Sequence, residues 1–223
     1  MTEHDPEHQD SEPKEGHDPE PEKRMAFPNP MLVVVSGPSG VGKSTIVAEM
    51  ARRRPQVVPI VTATTRGRRD GEQDKVHYHF LSPEEFQQLR DRKGLLEYAM
   101  VHDHWYGTPV DQVRGILAAG RDAILTIDPQ GAKSVRALVP DALLIFIMPP
   151  SIEDLDQRLA RRGSEDGEER AKRRHNAEAE MAAAGDYDYA IVNQTDHPDD
   201  AVEQIWEIIQ AEARRDPPRR VQV

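Results

Sequence analysis

The chain contains no cysteine. That excludes a disulfide framework and any thiolate metal site. No apolar run approaches the roughly 20 residues of a membrane span, and the first residues lack the basic-then-apolar pattern of a secretory leader. A positive balance is missing too. With 29 Lys and Arg against 40 Asp and Glu, the formal net charge is −11, which argues against a broad nucleic-acid-binding face. A local positive pocket stays open. These absences lead us to expect a cytoplasmic protein that partners neither nucleic acid nor membrane.

What is present is unevenly distributed. Residues 1–30 carry nine acids and three bases, almost no apolar side chains, several prolines and the tetrapeptide HDPE twice, at 4–7 and 17–20. Such a segment cannot bury enough surface to offset its ordering entropy, so a disordered acidic tail is expected. From residue 31 the pattern changes. MLVVVS (31–36), VVPIV (57–61), LLEYAMV (95–101), DAILTID (122–128), ALLIFIM (142–148) and YAIVN (189–193) read as strands, and VHYHFL (76–81) alternates like a half-exposed one. Helical patterns follow Lys43, Ser82, Thr108-Pro109 and Ser151, with a further one through about Ala183 and a last one over about 198–214. Ser82, Pro83 and Glu85 spell a capping box with proline at the first helical position. Strands alternating with helices predict an α/β fold with a parallel sheet covered on both faces. The stretch 62–107 breaks that rhythm and is expected to be an inserted lobe.

GPSGVGKS, residues Gly37, Pro38, Ser39, Gly40, Val41, Gly42, Lys43 and Ser44, fits the phosphate-loop pattern G-x-x-x-x-G-K-[ST]. Glycines let the backbone turn its N–H groups inward around phosphate oxygens. The lysine reaches the terminal phosphates and the Ser44 hydroxyl coordinates Mg²⁺. The following helix adds the positive end of its dipole. A chance match in a chain this long is on the order of one in a hundred. The match also lies between a predicted strand and a predicted helix, where the mechanism needs it. A nucleoside-triphosphate site, for ATP, is expected, and in a short chain with no second nucleotide motif a small kinase is the economical reading.

One cluster runs against the overall charge. VTATTRGRRDGE (61–72) places Arg66, Arg68 and Arg69 within four positions. It is either a solvated loop or a receptor for an anion, and the segment alone does not choose.

Taken together, SGPSGVGKST, TATTRGRRDGE, HYHF, LLEYAMVHDHWYGT, LTIDPQGAKSVR, IFIMPPS, RLARRG and YDYAIVN resemble guanylate kinases in order and spacing, over about 31–214. The resemblance implies an ATP:GMP phosphotransferase, a phosphate-loop core with parallel sheet (31–61 and 108–214 of a domain spanning 31–215), a GMP-binding lobe (62–107) and a helical lid (about 158–173). It implies that Arg66 and Arg69 grip the acceptor phosphate, for which a planar guanidinium is suited. Arg68 stands where the family has proline and is assigned to solvent. Glu97 would take the N1–H and amino hydrogens of guanine, Thr62 would donate to O6, Thr108 would contact the base, and Tyr78 and Tyr106 would hold the GMP phosphate. Arg158, Arg162 and Arg173 would close over the phosphates, with Lys43, Arg69, Arg162 and Arg173 as the catalytic cations. Thr45 and Asn193 would join the ATP site. Asp128 would lie near Mg²⁺ and GMP.

Two residues depart from the family pattern. Thr126 occupies a position that often holds an acid, which puts a second carboxylate near the metal in doubt, and Thr62 replaces a serine while keeping the hydroxyl. Two other readings compete. Related scaffold modules bind phosphorylated partners without chemistry, but their phosphate loop is degraded and proline commonly replaces the residue at 62. A relative that phosphorylates a ribose bisphosphate would lack the set Thr62, Glu97 and Tyr78. Both features that exclude these readings are present here.

Overall fold

The computed structural model describes residues 29–101, 103–160, 177–194 and 198–223. The acidic tail up to residue 28, and Arg162 and Arg173, lie outside the described residues.

Five strands form a wholly parallel sheet: β1 (Leu32–Ser36), β2 (Val57–Pro59), β7 (Asp122–Thr126), β8 (Leu143–Met148) and β9 (Tyr189–Val192), in the order β2-β7-β1-β8-β9. Side chains alternate across a strand, and β1 shows the consequence. Val33 and Val35 point into one apolar cluster, with Ile46 and Met50 of α1 (Lys43–Arg53), Leu155 of α5 (Ile152–Ala160) and Ile205 and Ile209 of α7 (Pro198–Ala213). Leu32 and Val34 point into the other, with Val113 of α3 (Val110–Ala118) and Val135 of α4 (Pro129–Leu138). Every residue of β1 is buried, which is why its sequence is a continuous apolar run rather than an alternating one. The result is a three-layer α/β core, as expected. A helix over 177–182, α6, continues into a 3₁₀ turn at Ala183–Asp186.

The stretch expected to be a lobe builds its own sheet. β3 (Ala63–Thr64), β4 (His79–Phe80), β5 (Leu95–Val101) and β6 (His104–Pro109) are ordered β4-β3-β6-β5, with β3 parallel to β4 and antiparallel to β6. α2 (Pro83–Asp91) packs on it through buried Phe86, which stacks on Trp105 at 6.0 Å. The capping box is formed: the Glu85 amide donates to Ser82 Oγ at 3.2 Å and the Ser82 amide to Glu85 Oε2 at 2.7 Å. Thr108 and Pro109, expected to open a helix, instead end β6, and α3 begins at Val110. The strand read at 76–81 is confined to His79–Phe80, because residues 75–77 turn, with Lys75 at a positive φ of 62°.

The chain does not end at α7. Residues 214–223 return across the sheet and pack Val221 and Val223 against the α3–α4 cluster. Arg219, only 8% exposed, donates to Glu212 Oε2 at 2.7 Å and to the Ala142 carbonyl at 3.2 Å. Glu212 also accepts from the Tyr189 hydroxyl at 2.7 Å.

Asp122 starts β7 and is almost fully buried. Its Oδ1 accepts from the Met31 amide at 2.8 Å, whereas Oδ2 is buried with no hydrogen-bond partner. Burial pushes the carboxyl up to about 6, and the Met31 amide opposes that rise. The folded state therefore favours the protonated acid. The corresponding stability is complete below the ordinary carboxyl range and is lost as pH rises through about 6. Asp122→Asn keeps the acceptor and removes the charge. It should raise Tm at pH 8 by about 2–4 °C, roughly 1 kcal/mol, with the gain shrinking towards pH 4 when followed by calorimetry. A Tm loss at both pH values would contradict this account.

Candidate active site

Gly37–Ser44 joins the C-terminal end of β1 to α1, beside the central strands. Gly37 has φ 144°, and a Cβ there would lie 2.3 Å from the Ile147 carbonyl oxygen of β8. Gly42, at φ 101°, is the N-cap of α1, and no side chain caps that helix. The first N–H groups of α1 are thus left without the side-chain acceptor that α2 and α4 have, an arrangement suited to an incoming anion. Lys43 Nζ donates to the carbonyls of Gly37 at 2.6 Å and Pro38 at 3.0 Å, folding back along the loop. Ser44 and Thr45 are exposed in the first turn of α1.

Two residues expected to meet nucleotide brace the loop from behind. Val41 is fully buried, and its carbonyl accepts from Asn193 Nδ2 at 2.7 Å and from Arg158 Nη1 at 3.1 Å. The second Arg158 nitrogen, Nη2, donates to the Asn193 carbonyl at 2.9 Å. α5 and the end of β9 are in this way tied to one peptide of the phosphate loop.

A second group of expected site residues lies on and beside the four-stranded sheet β4-β3-β6-β5. Glu97, on β5, is 6% exposed and its Oε1 accepts from the Thr108 hydroxyl of β6 at 2.6 Å. Burial pushes its carboxyl up, the Thr108 hydroxyl pulls it partly back, and the nearby Asp128 charge adds to the rise. A buried carboxylate with one neutral partner is a poor stabiliser and a good receptor for paired N–H donors. Asp128 is the N-cap of α4, and its Oδ1 accepts from the Gly131 amide at 2.8 Å. Thr62 is half-buried at the entrance to β3, and Thr126 is half-buried at the end of β7. Tyr78 and Tyr106 meet edge-to-face at 6.0 Å, and burial raises the Tyr78 hydroxyl.

The three arginines of 61–72 separate here. Arg66 forms a fork-to-fork pair with Glu72, at 2.7 Å and 3.0 Å, and donates to the Gly67 carbonyl at 2.7 Å. Its guanidinium lies 5.5 Å from the Tyr78 ring and 5.8 Å from the Phe80 ring, and the Tyr106 hydroxyl approaches it. Arg68 and Arg69 are exposed, and the Arg69 amide donates to Glu72 Oε2 at 2.8 Å. Glu72 therefore organises the loop, although it was not among the residues expected at the site. Its spacing, six residues after one arginine and three after another, was the available signal. The Arg66 hydrogen bonds, helped by the Arg69 amide, hold its carboxyl down at about 2.

A guanylate kinase family model matches residues 29–212. The chain belongs to the guanylate kinase family. The guanylate kinase of Thermobifida fusca strain YX is 48% identical over 166 residues, covering 74% of this chain and 85% of that one. That of Desulfitobacterium hafniense strain Y51 is 43% identical over 185 residues, covering 83% and 92%. The crystal structure of guanylate kinase from Anaplasma phagocytophilum superposes with a TM-score of 0.70 at 30% identity, covering 84% of this chain and 88% of that one. Membership makes the chain an enzyme, a phosphotransferase.

The Glu72–Arg66 pair generates a prediction. Glu72→Gln removes the charge that fixes the Arg66 fork while preserving the shape of the turn. The KM for the acceptor nucleotide should rise about tenfold, the scale of one charge-assisted hydrogen bond, with the KM for ATP unchanged in steady-state assays. Equal KM values in variant and parent would mean that Arg66 holds its place without Glu72.

Proposed function

We propose that the two halves divide the reaction ATP + GMP → ADP + GDP between them: the loop Gly37–Ser44 holds the donor, and the lobe holds and reads the acceptor. GMP phosphorylation is the activity of this family member, and the observation that carries the assignment of its acceptor site is the buried Glu97–Thr108 pair. Guanine offers N1–H and an amino group on one edge, which a carboxylate accepts together. Adenine would set a lone pair against the same buried charge. Sites built on such hydrogen bonds reject the wrong base by about 10⁴. Thr62 is the donor for O6 beside them.

Phosphoryl transfer asks for alignment and for neutralisation of charge spread over the moving group. Arg66, held by Glu72 against Tyr78, is pre-organised to take acceptor phosphate oxygens. Arg69, exposed on the same turn, completes the grip, with the hydroxyls of Tyr78 and Tyr106 as further donors. Lys43 turns from its loop carbonyls to the terminal phosphates. Arg158 keeps the loop in shape, and Arg162 and Arg173 are assigned to the closing lid on the family pattern.

Mg²⁺ suits the donor set. Among the described residues no group of three or more His, Cys, Asp or Glu side chains could hold a metal. Mg²⁺ characteristically binds through one or two protein oxygens plus substrate phosphates and water. Ser44 Oγ supplies one, and Asp128, whose Oδ1 is committed to Gly131, offers Oδ2 as the second. When bound, the ion supplies charge neutralisation at the bridging phosphate oxygens.

No helix among the described residues is long and apolar enough to cross a membrane. A cytoplasmic setting, where ATP and GMP are found, goes with this reading. The scaffold alternative is weaker, because the phosphate loop keeps each element of its motif and Thr62 its hydroxyl.

Purified protein should consume ATP with GMP and not with AMP, CMP or UMP, measured as ADP release. Arginine variants test the acceptor grip. Arg69→Ala and Arg66→Ala should each lower kcat/KM for GMP by roughly two orders of magnitude, about 3 kcal/mol, with ATP affinity retained. Arg68→Ala should change little. Equal mild effects at all three would reduce the cluster to a solvated loop.

A further inference from the structure

The phosphate loop already has an anion against it. The Ser39 amide, in the middle of Gly37–Ser44, donates to Glu180 Oε2 at 3.3 Å, across 141 positions of sequence. Glu180 sits on α6, the helix over 177–182. The position is anchored rather than incidental: Ala177, three residues earlier and on the same helical face, is 4% exposed inside the cluster that packs α1 and α7. Lys43 is meanwhile turned onto the Gly37 and Pro38 carbonyls. The loop thus engages a carboxylate through one of its N–H groups and its own ammonium through two of its carbonyls.

We propose that Glu180 is an internal competitor of the triphosphate, holding the Ser39 amide until nucleotide displaces it. The inference rests on reading Gly37–Ser44 as the triphosphate site. A phosphate oxygen and a carboxylate oxygen cannot share one N–H at hydrogen-bond distance, and two anions that close repel. Nucleotide binding must therefore move the Glu180 side chain off the loop, and this lowers the apparent affinity for every nucleotide that uses it. The effect acts on the phosphates and not on the base. It weakens ADP as well as ATP, which in a kinase favours release of product.

The test is calorimetric titration of ADP, and separately of ATP, into the full chain and its variants. Glu180→Gln keeps size and acceptor oxygen while removing the charge, and it should bind both nucleotides about five- to tenfold more tightly, the scale of one close like-charge contact near a protein surface. Glu180→Asp keeps the charge but withdraws it by one methylene, and should fall between that variant and the parent. Glu178→Gln is the control, because Glu178 is exposed on the same helix and its loss changes the net charge equally; it should bind as the parent does. Unchanged or weaker binding by Glu180→Gln would overturn the proposal, as would an equal gain in Glu178→Gln. Absence of ADP and ATP binding in the parent would overturn the phosphate-loop reading and this inference with it.

Discussion

On the proposed reading, Gly37–Ser44 offers most of its N–H groups to phosphate and can use few of them to hold its own shape. The shape of Gly37–Ser44 must come from its other atoms and from its neighbours, and much of the core is arranged around that requirement. β1 is the middle strand of five and delivers the loop from a fully buried position. The close approach of Gly37 to the Ile147 carbonyl leaves no room for a side chain. The Val41 carbonyl, the part of the loop that phosphate does not need, is where α5 and the end of β9 attach through Arg158 and Asn193. Rigidity enters largely through carbonyls, although the Val41 amide also donates within the loop to the Pro38 carbonyl at 3.3 Å and the Ser39 amide to Glu180.

The lobe solves the complementary problem of keeping charges ready in a protein that is acidic overall. Arg66 is neutralised and oriented by Glu72, and it rests against aromatic rings that cost little to desolvate. Arg69, on the same turn, is left to water. On the proposed reading, one cation is thereby fixed before the acceptor arrives, and the other closes on it. Glu97 carries the opposite strategy. It is a buried carboxylate whose carboxyl is pushed up by burial, and in the proposed role the discomfort of burial becomes discrimination between bases. Asp128 stands between the halves, capping α4 while its charge is felt at Glu97.

The opposite ends of the strands serve stability. Asp122 ties the start of β7 to the residue preceding β1. The segment after α7 closes over the starts of β8 and β9, with Arg219 as its pin. On the outer face, Arg53 at the end of α1 and Arg54 just after it pair with Asp199 and Glu203 of α7, and Arg54 also lies 5.2 Å from the Trp206 ring. These contacts hold α1 against α7.

Strands β1, β5, β7, β8 and β9, the capping box of α2 and the glycine-rich turn between β1 and α1 were all readable from residue order. Each depends on periodicity or on neighbours within a few positions, and such information survives in a linear string. The family pattern added the candidate acceptor residues, among them Thr108 and Glu97, which share a hydrogen bond. Other features were decided only when distant segments met. β6 pairs with both β3 and β5, and its own residues do not alternate cleanly enough to announce a strand. Glu72 was not marked in the sequence, because its partner's fork reaches it only when the loop is folded. Arg158 and Asn193 converge on Val41 from 117 and 152 positions away, and Glu180 reaches Ser39 from 141. The C-terminal pin is charged and follows a helix, so in sequence it resembles a solvated end. A contact between residues far apart in the chain is set by the path of the backbone between them, and no local pattern records that path.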